Sequence, residues 1–175
     1  MPSNVPNFDE LLKSAQHSAV HLEMRDAYGV DDEAEEFDLW RRTGRRWEGE
    51  QADAYWRPWV DLIAETVARG VTVWRARIVS EPVTEYVRFE HAGTEWNLRA
   101  GEQVRWLPRR QASDIALPGN DFWLIDERAV RFNIFSGDGA VGDPDYSEDP
   151  AVTKLCASAF EAVWERAVLH EEYKI

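Results

Sequence analysis

The chain has 175 residues, 44% of them hydrophobic and nine of them Trp, enough for one domain with a substantial core, which excludes a disordered tail or a stapled miniprotein. Thirty-three acidic residues against twenty basic ones give a net charge of −13 and a pI near 4.7, a field that repels phosphate backbones and anionic membrane surfaces. With a single cysteine and no long apolar run, neither an internal disulfide, a membrane span nor direct nucleic-acid binding is expected, and a cytoplasmic setting is.

Residues 1–10 are polar and lack the basic head and apolar run of a secretion signal. From Phe8 to Gln16, Phe8, Leu11, Leu12 and Ala15 share one face of a short amphipathic helix. SAVHLEMRDAY then sets Val20, Leu22 and Met24 against His21, Glu23 and Arg25, a period of two that reads as a half-buried strand. A small helix around Glu35 to Arg42 follows, and TGRRWEGEQ reads as a loop. Asp53 reads as the N-cap of a longer helix carrying Trp56, Trp59, Val60, Ile63 and Val67, with Gly70 after its end. VTVWRARIV is a strand with Trp74, Ala76 and Ile78 on one face and Val73, Arg75, Arg77 and Val79 on the other. Ser80, Glu81 and Pro82 read as the start of a helix that runs to the vicinity of Gly93. QVRWL is a short strand, Arg109 to Asn120 a loop, and DFWLID with AVRFNIF a hairpin. After the acidic loop SGDGAVGDPDYSED, Asp149 and Pro150 open a final helix whose stripe is Val152, Leu155, Cys156, Ala159, Phe160, Val163, Trp164 and Ala167. The expected architecture is one α/β domain over residues 1–175: a mixed, mostly β sheet core with flanking helices, the amphipathic C-terminal helix packed across it.

The motifs of common chemistries are missing. His17, His21, His91 and His170 lack the spacing of metal ligands, and Cys156 belongs to an apolar stripe, so no metal or cofactor is expected. No GxSxG elbow, phosphate-binding GxxxxGK[ST] loop or GxGxxG turn is present. Asp138, Asp143, Asp145 and Glu148 do not follow the ordered spacing of a calcium loop and read as a solvated segment. Arg41, Arg42, Arg45 and Arg46 beside Trp40 and Trp47 suit a nucleic-acid contact superficially, but in so acidic a chain they are expected to pair with nearby acids.

The informative constellation is Arg75 and Arg77 on one strand face, followed by Glu81, Tyr86 and Arg88, then Glu102, Arg105, Asp121, Trp123 and Asp126. Two inward guanidinium groups need carboxylates, here sought among Glu81, Glu102, Asp121 and Asp126, or an anionic ligand. The first reading is a structural network that fixes strand order. The second is a pocket that grips a small anionic ligand or the carboxylates of a partner.

At RARIVSEPVTEYVRFE, GEQVRWLPR and DFWLID, and through the opening FDELLKSAQHSAVHLEMRDAY and the closing AFEAVWERAVLHEEY, the chain resembles a bacterial family known only as domain of unknown function 6879. The resemblance implies a regulatory setting, since genes of that family often lie beside helix-turn-helix regulators and small companion proteins in high-GC filamentous bacteria. The order of strand, helix, strand, long loop and hairpin also resembles half of a phospholipase D-type domain. Such enzymes use a His-x-Lys pair, whereas the four histidines here are followed two places later by Ala19, Glu23, Gly93 and Glu172. The resemblance therefore implies a descendant that binds rather than cleaves. The leading expectation is a non-catalytic accessory protein that binds a protein partner, such as a helix-turn-helix regulator or small companion, or a small ligand. The alternative is a small-molecule hydrolase or transferase that uses Glu81, Glu102 or Asp121 with Arg75 and Arg77 as an anion clamp.

Overall fold

A computed structural model describes residues 5–175, so the first four positions of the polar opening lie outside the described residues. In chain order the elements are α1 (Phe8–Lys13), β1 (Ser18–Glu23), α2 (Ala34–Thr43), α3 (Gly49–Ala68), β2 (Thr72–Val79), α4 (Glu85–Arg99) and β3 (Gln103–Pro108). They continue as β4 (Asp121–Ile125), β5 (Ala129–Asn133), β6 (Asp145–Ser147), α5 (Pro150–Arg166) and β7 (Val168–Leu169). All strands join one mixed sheet of order β6-β5-β4-β1-β2-β3-β7, in which β1, β2 and β3 are parallel and the remaining pairings antiparallel. The architecture is α/β, as expected, and the four strands read from the later sequence share this sheet.

Helix α5 covers one face. Its Cys156, Phe160, Val163 and Trp164 pack with Val20, Leu22, Ala76, Ile78, Phe122 and Leu124, which are the alternate positions of β1, β2 and β4. Asp149 caps that helix, accepting from the Ala151 N–H at 2.7 Å. Leu155 departs from the expected stripe: it lies at the stripe's edge and is 44% exposed. On the other face, α1 and α3 bring Leu11, Leu12 and Ile63 onto Ala19, Val73, Trp123 and Ile125. Because both faces are covered, β1 is buried through both of its alternate sets rather than half-buried, and His21 and Glu23 point into the protein.

Several boundaries differ from the sequence reading: α1 ends at Lys13, short of Gln16, β1 ends at Glu23, short of MRDAY, and β5 ends at Asn133, short of Phe135. Helix α3 begins at Gly49, about one turn before Asp53, and buries Ala52 in the added turn. Helix α4 begins only at Glu85, because the Thr84 hydroxyl accepts from the Val87 N–H, whereas the N–H and hydroxyl of Ser80 are both given to Asp26. It also runs straight past Gly93 to Arg99, Gly93 being a site of close packing and not a stop. Within segments read as loops, Arg109–Ala112 forms a 3-10 turn and Asp145–Ser147 pairs as β6 on β5.

The C-terminal segment closes the β3 edge. The Trp106 indole donates to His170 Nδ1 at 3.1 Å, and Tyr173 stacks on Trp106 and donates its hydroxyl to Glu81 at 2.8 Å. Burial, and then neighbouring His91, lower the His170 imidazole to about 4. A group depressed on folding binds its proton more readily when unfolded, so this contribution to stability is present above pH 6.5 and is lost as the pH falls towards 4. His170→Gln keeps an acceptor near the indole but cannot titrate. Urea denaturation should therefore give a flatter stability curve for this variant across that window, and parallel curves would remove the assignment.

Candidate functional site

Beyond the apolar rows of β1 and β2, the face under α3 and α4 becomes polar. In the parallel register His21 stands beside Arg75 and Glu23 beside Arg77, and on the antiparallel side His21 faces Trp123 of β4. Arg75 donates Nε to Glu102 at 2.6 Å and Nη1 to Glu23. Arg77 donates Nε to the other oxygen of Glu23, Nη1 to Thr94 at 2.8 Å and Nη2 to Glu90 at 2.9 Å. Asn97 holds the second oxygen of Glu102 at 2.7 Å. Glu23 thus bridges both guanidinium groups, and Glu90, Thr94 and Asn97 descend on them from the inner side of α4.

The aromatic rings complete the network. The Arg75 guanidinium lies 5.5 Å from the Trp59 ring centre and 5.6 Å from that of Trp123, and Arg77 lies 4.9 Å from that of Trp106. Burial pushes the Glu23 carboxyl upward, but Arg77 and Arg75 overcome this and hold it well below the usual range. Burial lowers the His21 imidazole, which is therefore neutral at pH 7.

These side chains border a cavity of about 810 Å³ between the sheet, α3 and α4, with Tyr55, Trp56 and Trp59 from α3 in its wall. Four further carboxylates line it, Asp9, Asp32, Glu33 and Asp121. Asp121 accepts from the Tyr28 hydroxyl and from the Met24 N–H at 2.8 Å, while Glu33 accepts from the Tyr86 hydroxyl at 2.7 Å. Burial, and then neighbouring Glu90, raise Glu33 to about 7, and burial raises Asp121 to about 6. Among the described residues, no three or more His, Cys, Asp or Glu side chains are arranged to hold a metal ion, and no helix is long and apolar enough to cross a membrane.

Of the residues singled out from sequence, Arg75, Arg77, Tyr86, Asp121 and Trp123 line this cavity, with Glu102 directly behind Arg75. The other four lie elsewhere. Glu81 bonds Tyr173, and Arg88 is exposed on α4. Arg105 is on the α5 face, donating to the Trp164 carbonyl at 2.9 Å with its guanidinium 4.3 Å from the ring centre. Asp126 sits in the β4–β5 turn, where its carboxylate takes the N–H groups of Gln16, His17 and Ser18 and so ties the hairpin to the start of β1.

His21, Glu23, Glu33, Glu90 and Tyr28 escaped the sequence reading. A signal for the α4 contribution was present: Tyr86, Glu90, Thr94 and Asn97 are spaced by four, four and three residues, one polar stripe on a helix face. Of the RRTGRRW arginines, Arg41 pairs with Glu85 at 3.4 Å, Arg45 with Glu48 at 3.1 Å and Arg46 with Glu36 at 2.6 Å, whereas Arg42 donates to the Asp38 carbonyl.

The fold is similar to that of a phospholipase D family member, Nuc from Salmonella typhimurium, with a TM-score of 0.52 at 11% identity over 95% of this chain and 88% of that one. NucT from Helicobacter pylori gives a TM-score of 0.52 at 12% identity over 92% of this chain and 87% of the other. TrmBL2, an archaeal chromatin protein, is less similar, with a TM-score of 0.47 at 14% identity; 91% of this chain spans only 47% of that one. By sequence, the chain belongs to the family described as Domain of unknown function (DUF6879), matched over residues 6–175. No curated protein matches it.

Proposed function

We propose that the chain is a non-catalytic binding protein whose cavity under α3 and α4 receives a small ligand, and that it serves as an accessory to a transcription regulator. The observation that most supports this reading is the engagement of both central arginines by Glu23, Glu90 and Glu102 beside a cavity of about 810 Å³, within the usual range for small-molecule sites. Arg77, whose three nitrogens are all bonded, is poorly suited to gripping a transferring phosphoryl group. The phospholipase D-like fold carries no His-x-Lys pair here, which removes the nucleophile and acid such a fold would use. The regulatory role rests on the gene setting implied by the family resemblance, and the net charge of −13 favours action through another protein over contact with DNA.

A second reading, a hydrolase or transferase, draws on Glu33 near 7 and Asp121 near 6, values suited to general acids. Incubation of the purified protein with bis(p-nitrophenyl) phosphate separates the two for phosphodiesters. The expected result is no nitrophenolate release above a matched blank. Turnover that disappears in Asp121→Asn or Arg75→Lys, with folding intact by circular dichroism, would overturn the non-catalytic reading. For the regulatory association, affinity purification from the native host followed by mass spectrometry should recover a helix-turn-helix protein, and its absence would count against that role.

A further inference from the structure

Around the Trp123 ring the cavity holds more hydrogen-bond donors than the protein uses. Trp123 stands between His21 of β1 and Arg131 of β5 in the antiparallel register, and the Arg75 guanidinium is 5.6 Å from its ring centre. The Trp59 ring is close by, its centre 6.0 Å from that of Trp123. Among the described residues, the buried Trp59 indole N–H and Arg131 Nε have no acceptor, and the same holds for the Trp56 indole N–H about one helical turn earlier. Arg131 gives Nη1 to Asn133 and has no acidic partner among those residues; burial is the sole influence on its guanidinium, which it lowers. Arg75 spends Nε on Glu102 and Nη1 on Glu23, which leaves Nη2 free to donate.

Against these donors stands one unmatched acceptor of the lining. His21 is 4% exposed, and its Nε2 lies 3.2 Å from the Glu23 carboxylate, which assigns the ring proton to Nε2. Nδ1 is then a lone-pair acceptor, buried and without a partner. Unmatched buried polar atoms are costly, so this wall suits a molecule that brings several acceptors and one N–H. Charge narrows the choice further. Asp121, two residues from Trp123 on the same face of β4, repels an anion, and Arg131 on the neighbouring strand repels a cation. The remaining surface is aromatic: the His21 ring lies 4.4 Å and the Phe8 ring 5.1 Å from that of Trp123, centre to centre.

We propose that this end of the cavity binds an uncharged, planar heterocycle rich in acceptors, which takes the N–H groups of Trp59, Arg131 and Arg75 and gives one N–H of its own to His21 Nδ1. Its flat body is set against Trp59 and Trp123. The inference rests on the binding reading above and adds the charge, shape and hydrogen-bonding pattern of the ligand. Each feature answers a separate observation: the surplus of donors calls for acceptors, the orphan imidazole nitrogen for a single N–H, the opposed charges of Asp121 and Arg131 for neutrality, and the rings for a flat body. A cyclic imide has this pattern, with a carbonyl oxygen on either side of an N–H.

The test uses the intact protein and three flat bicyclic probes, quinazoline-2,4-dione, 2-naphthoate and 2-naphthylmethylammonium, followed by calorimetry and melting temperature. The uncharged dione should bind saturably, and each charged probe at least about tenfold more weakly. Trp59→Phe keeps an aromatic face and removes the N–H, and should weaken the dione by about two- to tenfold. Arg131→Met strands no carboxylate, so it should weaken the dione by about tenfold or more while the melting temperature holds. The 1,3-dimethyl derivative of the dione keeps both carbonyls but has no N–H for His21 and should bind more weakly than the parent; equal affinity would overturn the part assigned to His21. Preference for either charged probe, equal affinity for all three, or indifference to both substitutions would overturn the proposal. If 2-naphthoate alone binds and Arg131→Met abolishes it, the cavity is a site for anions, so the binding reading stands and the uncharged ligand fails. If no probe binds, the proposal fails, and a broader small-molecule screen by melting temperature then decides the binding reading: no stabilising compound would end it.

Discussion

Replacing Arg77 with Met should lower the stability of the fold by about 3–5 kcal/mol, the usual cost of removing one partner from a buried ion pair. The Arg77 side chain is 7% exposed and spends all three of its nitrogens, on Glu23, Thr94 and Glu90. Methionine fills much of the same volume, so the loss is electrostatic rather than a cavity. It strands Glu90 without a cation and leaves Glu23 to Arg75 and His21 alone. Arg75→Met should cost a similar amount, because Glu102 would then be buried with only Asn97 to satisfy it. Arg88→Met, on the exposed side of α4, should change stability by no more than about 0.5 kcal/mol. Guanidinium denaturation midpoints separate these outcomes. An unchanged midpoint in both Arg75→Met and Arg77→Met would remove the network as a structural element. Partial recovery of the Arg77→Met loss on adding Glu90→Gln would trace the cost to the stranded carboxylate.

The need for such a network could be read from β2 alone, since strict alternation sets Arg75 and Arg77 on one face and apolar Trp74, Ala76 and Ile78 on the other. The identity of the partners could not. Glu102 was among the acids considered, and it lies immediately before β3, the strand that follows α4 and pairs with β2. Glu23 becomes a partner only because β1 pairs in parallel with β2 across the intervening α2 and α3, a pairing between segments some fifty residues apart that no local pattern encodes. Alternation along β3 sends Arg105 to the other face, and the antiparallel run of β4 beside β1 puts Asp126 at the far end of β1, so two residues close to the site in sequence are distant from it in the fold. The phase of α4 was also hidden. Once Ser80 and Pro82 are taken as the helix start and Gly93 as its end, the polar stripe of Glu90, Thr94 and Asn97 is cut in two. What restores it is a packing fact, the Arg46 guanidinium lying against Gly93, and that contact joins segments far apart in sequence.

That contact supports the other large expected effect. Glu36 on α2 is 1% exposed and receives Arg46 Nε at 3.0 Å, Arg46 Nη2 at 2.6 Å and the Trp47 N–H at 2.9 Å. Arg46 Nη1 continues to the Phe89 carbonyl at 2.8 Å, with the guanidinium 3.9 Å from the centre of the Phe89 ring. Glu36→Ala should therefore cost about 3–5 kcal/mol, because it leaves a largely buried guanidinium and a backbone N–H without their acceptor. Gly93 provides a more discriminating test. In an ordinary helix interior Gly→Ala stabilises by about 1 kcal/mol. Here the new Cβ would collide with Arg46 Nη1, and the guanidinium cannot swing aside without surrendering Glu36 and Phe89. Gly93→Ala should thus destabilise by about 1–3 kcal/mol in the natural sequence, as overpacking does. In an Arg46→Ala background the obstruction is gone and the same substitution should become neutral or stabilising. A reversal of sign between the two backgrounds, read from denaturation midpoints, would establish that Arg46 occupies the space over Gly93. The same lock fixes the start of α2, and with it Glu33, the residue immediately before that helix and an acceptor in the cavity wall.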